Sequence, residues 1–540
     1  MPNGRGRRKP GSLRASKTGQ RRTMSHLISD PSSLPPRSKT VTVCDDSPDT
    51  SDAASTTSTN TTNITTSSLP ATSPTLGTDS VKKAMARKAS SPMAPPFMVS
   101  APGKVIVFGE HAVVYGKAAM AAAISLRSYF LVTTLSKSQR TITLNFRDIK
   151  FDHTWNIDEL PWELFKQPSK KKYYYDLVTS LDSELYDALL PHVEDVSPHA
   201  PEDLRKIHRR SALAFLYLFC SLGSPQSHGA IYTLRSTIPI SAGLGSSASI
   251  CVCMSTALLL QIRTLAGPHP DQPPDEAELQ IERINRWAFV GEMCMHGNPS
   301  GVDNTVSAGG KAVFFRREDY TKPPTVVPVP NFPELPLWLV DTRQARSTAV
   351  EVAKVGKLKE EHPFVTESML DAIEKVTVSA KDAIRDADGK TLDPKELESF
   401  GSLIRINHGL LVSLGVSHPR LERIRELVDF ADIGWTKLTG AGGGGCAISL
   451  LRPDASEESL RQLEQQLTEE NFAKYETTLG GDGVGVLWPA VLRNGTDEEG
   501  GEEIDQQKFE NADGTEGIER LVGVGVHEKR EGWKFWRRAV

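Results

Sequence analysis

Four short stretches of this chain gather residue types that do chemistry together. They are A-P-G-K-V-I-V-F-G-E-H-A-V-V-Y-G (101–116), P-I-S-A-G-L-G-S-S-A-S (239–249), H-G-N-P-S-G-V-D-N-T-V-S-A-G-G (296–310) and T-G-A-G-G-G-G-C-A-I (439–448). The second is so dense in glycine, serine and alanine that its backbone must approach something closely or adopt positive φ. It has no closing G-K-[ST], and Ala248 stands where a G-x-G-x-x-G fingerprint needs its third glycine, so neither common phosphate-loop pattern applies. The hydroxyls of Ser246 and Ser247 can bond phosphate or Mg²⁺. In the first stretch, Lys104, Glu110 and His111 sit among Gly103, Gly109 and Gly116, as in a tight functional turn. The third carries one carboxylate, Asp303. The fourth has too many glycines for a helix or strand interior and reads as a loop meeting a ligand or another loop.

Taken singly, each stretch has an ordinary explanation. An aspartate in G-x-D-N is more often a turn-former than a base. Glu292 by itself is a helix-surface charge, and glycine runs are often linkers. Together, two glycine loops, paired hydroxyls, two carboxylates and a lysine suit a site for a polyphosphate and Mg²⁺. Oxygen donors without a His/Cys cluster fit Mg²⁺ better than zinc.

The elements that must position these residues can be read from periodicity. V-I-V-F within the first stretch is a buried strand, AAMAAAISLRSYFLVTTL is strand-rich, and RTITLNFRDIKF alternates like a half-buried strand. DLRKIHRRSALAFLYLFCSLG has helical spacing with Gly223 as its stop. AIYTLRSTIPI is a strand leading into the second stretch, and SICVCMSTALLLQI after it is apolar over a helical length. The serine-rich loop therefore lies at a strand-to-helix junction, where free N–H groups and the helix dipole favour an anion. ELQIERINRWAFVGEMCMHG reads as a helix ending at Gly297, and KAVFFRR as a strand. The Pro-rich TKPPTVVPVPNFPELP looks like a connector. A second region holds the strand LWLVDT, helical stretches from 357 to 431, the glycine cluster, the helix EESLRQLEQQLTEEN and a closing strand VGVLWP.

Composition narrows the class. The net charge of −4 with 24% charged residues gives no global field toward nucleic acid or anionic membranes. Six cysteines, with C-x-C at Cys251 and Cys253 but no second ligand cluster, read as buried thiols in a reducing compartment. MPNGRGRRKP has no apolar h-region, and AAMAAAISL is too short to span a membrane. The expectation is a soluble, cytoplasmic protein with no nucleic-acid partner. The basic, then Ser/Thr-rich segment 1–95 cannot bury enough apolar area to order itself. Its Arg-rich start shares features with mitochondrial transit peptides, but no amphipathic face is visible. Residues 493–540 open acidic (DEEGGEEID) and end with WKFWRR, read as a charged, disordered tail.

APGKVIVFGEHAVVYG, PISAGLGSSAS and KLTGAGGGGC resemble the three ordered motifs of the galactokinase–homoserine kinase–mevalonate kinase–phosphomevalonate kinase superfamily. Within it, VFGEHAVVYG, HGNPSGVDNTVS and DTRQARSTAVEV are similar to the mevalonate kinases. The match runs in order from 100 to 488 and leaves out both tails. The resemblance implies an α+β fold of two domains, 96–330 (ATP-binding) and 331–492, with the active site in the cleft between them. It also implies a left-handed β-α-β crossover, which no sequence pattern reveals.

The resemblance further implies roles. Asp303 is the catalytic base, and Lys104 beside it favours ionisation of the substrate hydroxyl and contacts ATP. Ser247 and Glu292 ligate Mg²⁺. Ser241, Ala242, Gly243, Leu244, Gly245, Ser246 and Ser247 wrap the ATP phosphates, with Gly440, Ala441, Gly442 and Gly443 as a second loop near them. Asp148 and Ser236 match positions near the base and sugar of the nucleotide. Glu110, His111, Arg346 and Thr348 match the face that binds mevalonate, whose carboxylate Arg346 can pair bidentately. Homodimers and feedback inhibition by isoprenyl diphosphates competing with ATP are further family expectations.

This chain departs from the pattern at Ser241, where a glycine is expected, and at Phe108 and Tyr115, which replace histidines common in relatives. These changes are expected to tune nucleotide affinity, since none touches the base, lysine or metal ligands. Rival readings are another kinase of the superfamily or a non-catalytic sensor on its fold. A galactokinase-like motif would read P-G-R-V-N in place of P-G-K-V-I. A phosphorylated substrate would call for extra basic residues near Arg346. Intact Lys104, Ser247, Glu292 and Asp303 argue against a sensor.

Overall fold

The structure, a computed structural model, describes residues 95–492 and 502–538 apart from 174, 177, 241, 270–271, 320–323, 388–391 and 525–529. The basic and Ser/Thr-rich segment up to residue 94 lies outside the described residues, as does Ser241.

The first half is built on two long, almost wholly apolar strands, β1 (Phe97–Phe108) and β2 (Ala118–Thr134), paired antiparallel. β3 (Thr141–Phe146) and β4 (Phe151–Asn156) form a hairpin, followed by the short helices α1 (Trp162–Phe165) and α2 (Ser183–Leu189). The long helix α3 (Glu202–Leu222) then leads to β5 (Ala230–Ser236), antiparallel to β2 and parallel to β3. α4 (Ser246–Gln261) has no polar stripe because it is enclosed on all sides; Cys251, Cys253, Met254 and Leu259 are fully buried. Burial pushes the Cys253 thiol up to about 12, so it behaves as a small hydrophobe. α5 (Pro274–His296) and α6 (Val302–Gly309) follow, and α3, α4 and α5 share one apolar core with β1 and β5.

Strands β6 (Ala312–Arg316) and β7 (Thr325–Val329) come next. β7 is made from the Pro-rich passage read as a connector. It pairs with β6 alone among the described strands, and an edge position tolerates Pro328, which has no N–H to donate. The second half holds β8 (Leu335–Asp341), α7 (Thr348–Glu361), α8 (Pro363–Ala387), α9 (Pro394–Ser413), α10 (Pro419–Asp429), β9 (Gly434–Leu438), β10 (Cys446–Leu451), α11 (Glu457–Glu469), β11 (Ala473–Leu479) and β12 (Gly485–Leu487). α9 opens with a full capping box between Asp393 and Glu396. β11 joins β8 to β2 through Leu479 opposite Ile124, so strands on both sides of residue 330 lie in one hydrogen-bonded sheet.

The C-terminal reading needs correction. The described residues 502–524 and 530–538 are not a disordered tail. After the ribbon of β13 (Val491–Leu492) and β14 (Glu502–Glu503) come α12 (Gln506–Asn511), α13 (Gly514–Val522) and β15 (Lys534–Phe535), which pairs with β12. Ile504, Phe509, Ile518, Val522 and Trp533 pack on Met98, Tyr129 and Leu131 as a separate core, while Trp536 joins the α3–α5 core. The buried Arg127 guanidinium donates to the Ser100 hydroxyl at 2.7 Å and lies 5.2 Å from the Phe535 ring centre. Average composition hides these few well-spaced apolar residues behind the acidic opening, and their partners are distant in sequence.

Candidate active site

Everything in the site is referred to the backbone of β1 at Gly103 and Lys104. The Lys104 N–H donates to the Leu244 carbonyl at 2.8 Å, fixing the serine-rich loop against the strand. On either side a hydroxyl clips a helix to the same strand. Ser249 of α4 donates to the Ala101 carbonyl at 2.7 Å, and Ser307 of α6 donates to the Pro102 carbonyl at 2.6 Å. The N-termini of α4 and α6 are thereby held beside Lys104. Gly245 is the N-cap of α4, with φ of 72°. A Cβ there would lie 3.0 Å from Lys104 Cγ and 3.6 Å from Asp303 Oδ2, so both conformation and space require glycine.

Asp303 lies in the first turn of α6, where the helix dipole favours a carboxylate. Lys104 Nζ is 3.3 Å from Asp303 Oδ2; the lysine side chain is 9% exposed and the aspartate 34%. A cation sits at the floor, and a carboxylate above it remains open to a substrate.

Glu292, on α5, is buried, and its Oε1 has no hydrogen-bond partner. Burial chiefly, then the charge of Asp303, pushes its carboxyl up to about 7, while Ser247 and Lys104 pull the other way. Ser247 Oγ lies 3.0 Å from His296 Nε2, one turn beyond Glu292. An idle, buried carboxylate oxygen beside a hydroxyl is the donor chemistry a hard divalent cation takes. Among the described residues no group of three or more His, Cys, Asp or Glu could hold a metal alone. A two-ligand set fits Mg²⁺, which keeps waters and takes oxygens from a substrate's phosphates.

The second glycine loop, between β9 and β10, is tied to the first by one side chain. Arg346 donates to the Ala242 carbonyl at 3.1 Å and the Thr439 carbonyl at 3.2 Å. Gly243, Gly440 and Gly445 all have positive φ, which favours glycine in both loops, and their open Cα faces lie against the Arg346 guanidinium. His111 holds the same loop, donating from Nε2 to the Ala441 carbonyl at 2.8 Å; burial keeps its pKa below the usual range.

Other expected residues are placed less openly. Glu110 is enclosed: Oε1 pairs with Lys437 Nζ, and Oε2 accepts from Asn407 Nδ2 at 3.0 Å. Thr348 is the exposed first residue of α7. Asp148 and Ser236 meet each other, the Ser236 N–H donating to Asp148 Oδ2 at 2.7 Å. Sequence reading missed Lys437, Asn407 and Arg235. The available signal was a lysine inside the wholly buried strand GWTKL, next to the glycine run.

Two family models match the chain: the GHMP kinases N terminal domain over 208–311 and the GHMP kinases C terminal over 382–470. The first spans the serine-rich loop, Glu292 and Asp303, and the second spans the glycine run. Over 540 residues the chain is 74% identical to a mevalonate kinase of Aspergillus fumigatus, covering 100% of this chain and 99% of that protein. The chain belongs to the mevalonate kinase family. A family member from Gibberella zeae is 69% identical over 84% of this chain and 89% of its own length. The human mevalonate kinase is 32% identical over 72% of this chain and 94% of its own. The GHMP kinase fold is also that of a Leishmania major mevalonate kinase solved in complex with R-mevalonate. That structure has a TM-score of 0.50 at 22% identity, covering 73% of this chain and 99% of its own.

Proposed function

We propose that the chain transfers the γ-phosphoryl group of ATP to the 5-hydroxyl of (R)-mevalonate, giving 5-phosphomevalonate and ADP in isoprenoid and sterol synthesis. The observation that carries this reading is the 3.3 Å contact of Lys104 with Asp303 where two helix N-termini converge. Asp303 accepts the hydroxyl proton as the oxygen attacks. Lys104 holds the carboxylate in register and stabilises the developing alkoxide as a point charge. The N–H groups from Ala242 to Ser247 face the polyphosphate, aided by the α4 dipole. Phosphoryl transfer needs alignment and charge neutralisation above all, and this cradle supplies both.

Ser247 and Glu292 would hold Mg²⁺, which when bound neutralises charge on the β- and γ-phosphates. Arg346 can exchange its two carbonyl acceptors for the mevalonate carboxylate, a stronger, charge-assisted partner. His111 and Glu110 shape the wall of that subsite.

A coupled ADP-release assay with mevalonate, phosphomevalonate and galactose tests the assignment. Turnover on mevalonate is expected, and turnover only on another of the three would replace it. A homodimer, inhibition by isoprenyl diphosphates competitive with ATP, and a cytoplasmic location complete the proposal. Sedimentation, inhibition kinetics and fractionation check them in turn. Among the described residues no helix is long and apolar enough to cross a membrane.

A further inference from the structure

The C-terminal segment reaches the nucleotide side of the site through one arginine. Arg235 Nη1 donates to the carbonyls of Phe509 and Glu510, at 3.0 and 2.8 Å, at the end of α12. Those are terminal helix carbonyls, left without intrahelical partners and bearing the negative end of the dipole. The same guanidinium gives Nε to Asp148 Oδ1 at 2.9 Å, while Asp148 Oδ2 accepts the Ser236 N–H. Arg235 is 8% exposed at its side chain and Asp148 28%, so the buried arginine aims a carboxylate that reaches solvent. Ser236 ends β5, directly before the loop that carries the N-terminus of α4.

α12 is firmly seated. Phe509 is fully buried, Asp505 caps the helix by accepting from the Lys508 N–H at 2.7 Å, and Asn145 Nδ2 donates to Glu510 Oε1 at 2.7 Å. The Tyr129 hydroxyl donates to the Val524 carbonyl further along the segment at 3.1 Å.

We propose that Arg235 is a positioning residue for the nucleoside end of ATP, and that residues 502–524 hold it in place and so set nucleotide affinity. This rests on the reading of Asp148 and Ser236 as neighbours of the nucleotide's base and sugar. Arg235 acts through Asp148: its planar fork meets a carboxylate and two carbonyls at fixed angles. A lysine at the same position offers one point charge and cannot hold both.

The test uses the full chain and calorimetric titration with ADP alone, alongside steady-state kinetics. Arg235→Lys is expected to raise the ADP Kd and the KM for ATP about five- to tenfold, the scale of one ordinary lost hydrogen bond. Its kcat and its KM for mevalonate stay within about twofold by the same reasoning. Asn145→Ala, which leaves Arg235 and Asp148 intact and loosens α12, is expected to raise the same two constants about twofold. Unchanged ADP binding in a folded Arg235→Lys protein overturns the proposal. Should that variant fail to fold, unchanged ADP binding in Asn145→Ala does the same. A wild-type chain that binds ADP but does not turn over mevalonate overturns the substrate reading alone, and the ADP comparison still decides the role of Arg235. A wild-type chain that does not bind ADP overturns both.

Discussion

Two lysine–carboxylate pairs stand on neighbouring parts of this molecule and do opposite things. Lys104 and Asp303 meet at 3.3 Å with the aspartate 34% exposed; Lys437 and Glu110 meet with both side chains wholly enclosed. In the open pair the carboxylate stays partly open to solvent. In the closed pair Asn407 and the Leu438 carbonyl take the remaining contacts, and burial holds the Lys437 pKa below its usual range. The same two residue types thus give an accessible pair or an internal brace according to what surrounds them.

The largest expected difference follows from the open pair. Asp303→Asn keeps the shape but removes the proton acceptor, and kcat should fall about 10²–10⁴-fold with little change in Tm. A variant within tenfold of wild type would make Asp303 a bystander. Disrupting the closed pair should reverse the pattern: Glu110→Gln strands a buried ammonium and should cost about 3–5 kcal/mol in urea unfolding. The double change Glu110→Gln with Lys437→Met should recover part of that loss, and a double variant no more stable than the single would break the comparison.

A smaller effect concerns His408, which accepts from the Leu438 N–H at Nδ1 (3.2 Å) and faces Glu422 at Nε2 (3.0 Å). Burial, partly opposed by Glu422, lowers its pKa to about 4. The unfolded chain, near the ordinary 6.5, therefore binds the proton first. Stability is full above about pH 6.5 and falls as pH drops toward 4, by about 1–3 kcal/mol from this group. His408→Gln should flatten that part of the stability–pH curve; an unchanged slope removes His408 as its source. The smallest effect is expected at an exposed pair, Arg461 with Glu458, both more than half exposed. Arg461→Ala should shift Tm by no more than about 1 °C.

The loops around the open pair were legible in the sequence because each is local, but Lys104 and Asp303 are distant in the chain and were paired only through the family resemblance. A strand ending at Ser236, a loop of small residues and an apolar helix after it put free N–H groups in one place by chain order alone. Gly245 and Gly301 mark the helix starts through their positive φ, and Asp303 follows two residues after Gly301. The closed pair was not legible: its members lie 327 residues apart, and the family resemblance, which matched Glu110 to the substrate face, carried no sign of its lysine partner. The C-terminal segment misled in the other direction, since charge density outweighed a few apolar residues whose partners sit on β1 and β2.

The sequence by itself determined where the backbone can turn tightly and where helices begin, because these depend on residues a few positions apart. Tertiary structure alone decided which carboxylate faces solvent, which lysine is sealed, and that α12 rests on Arg235. Burial and long-range pairing are set by how the sheet brings distant strands together, and no local pattern carries that information.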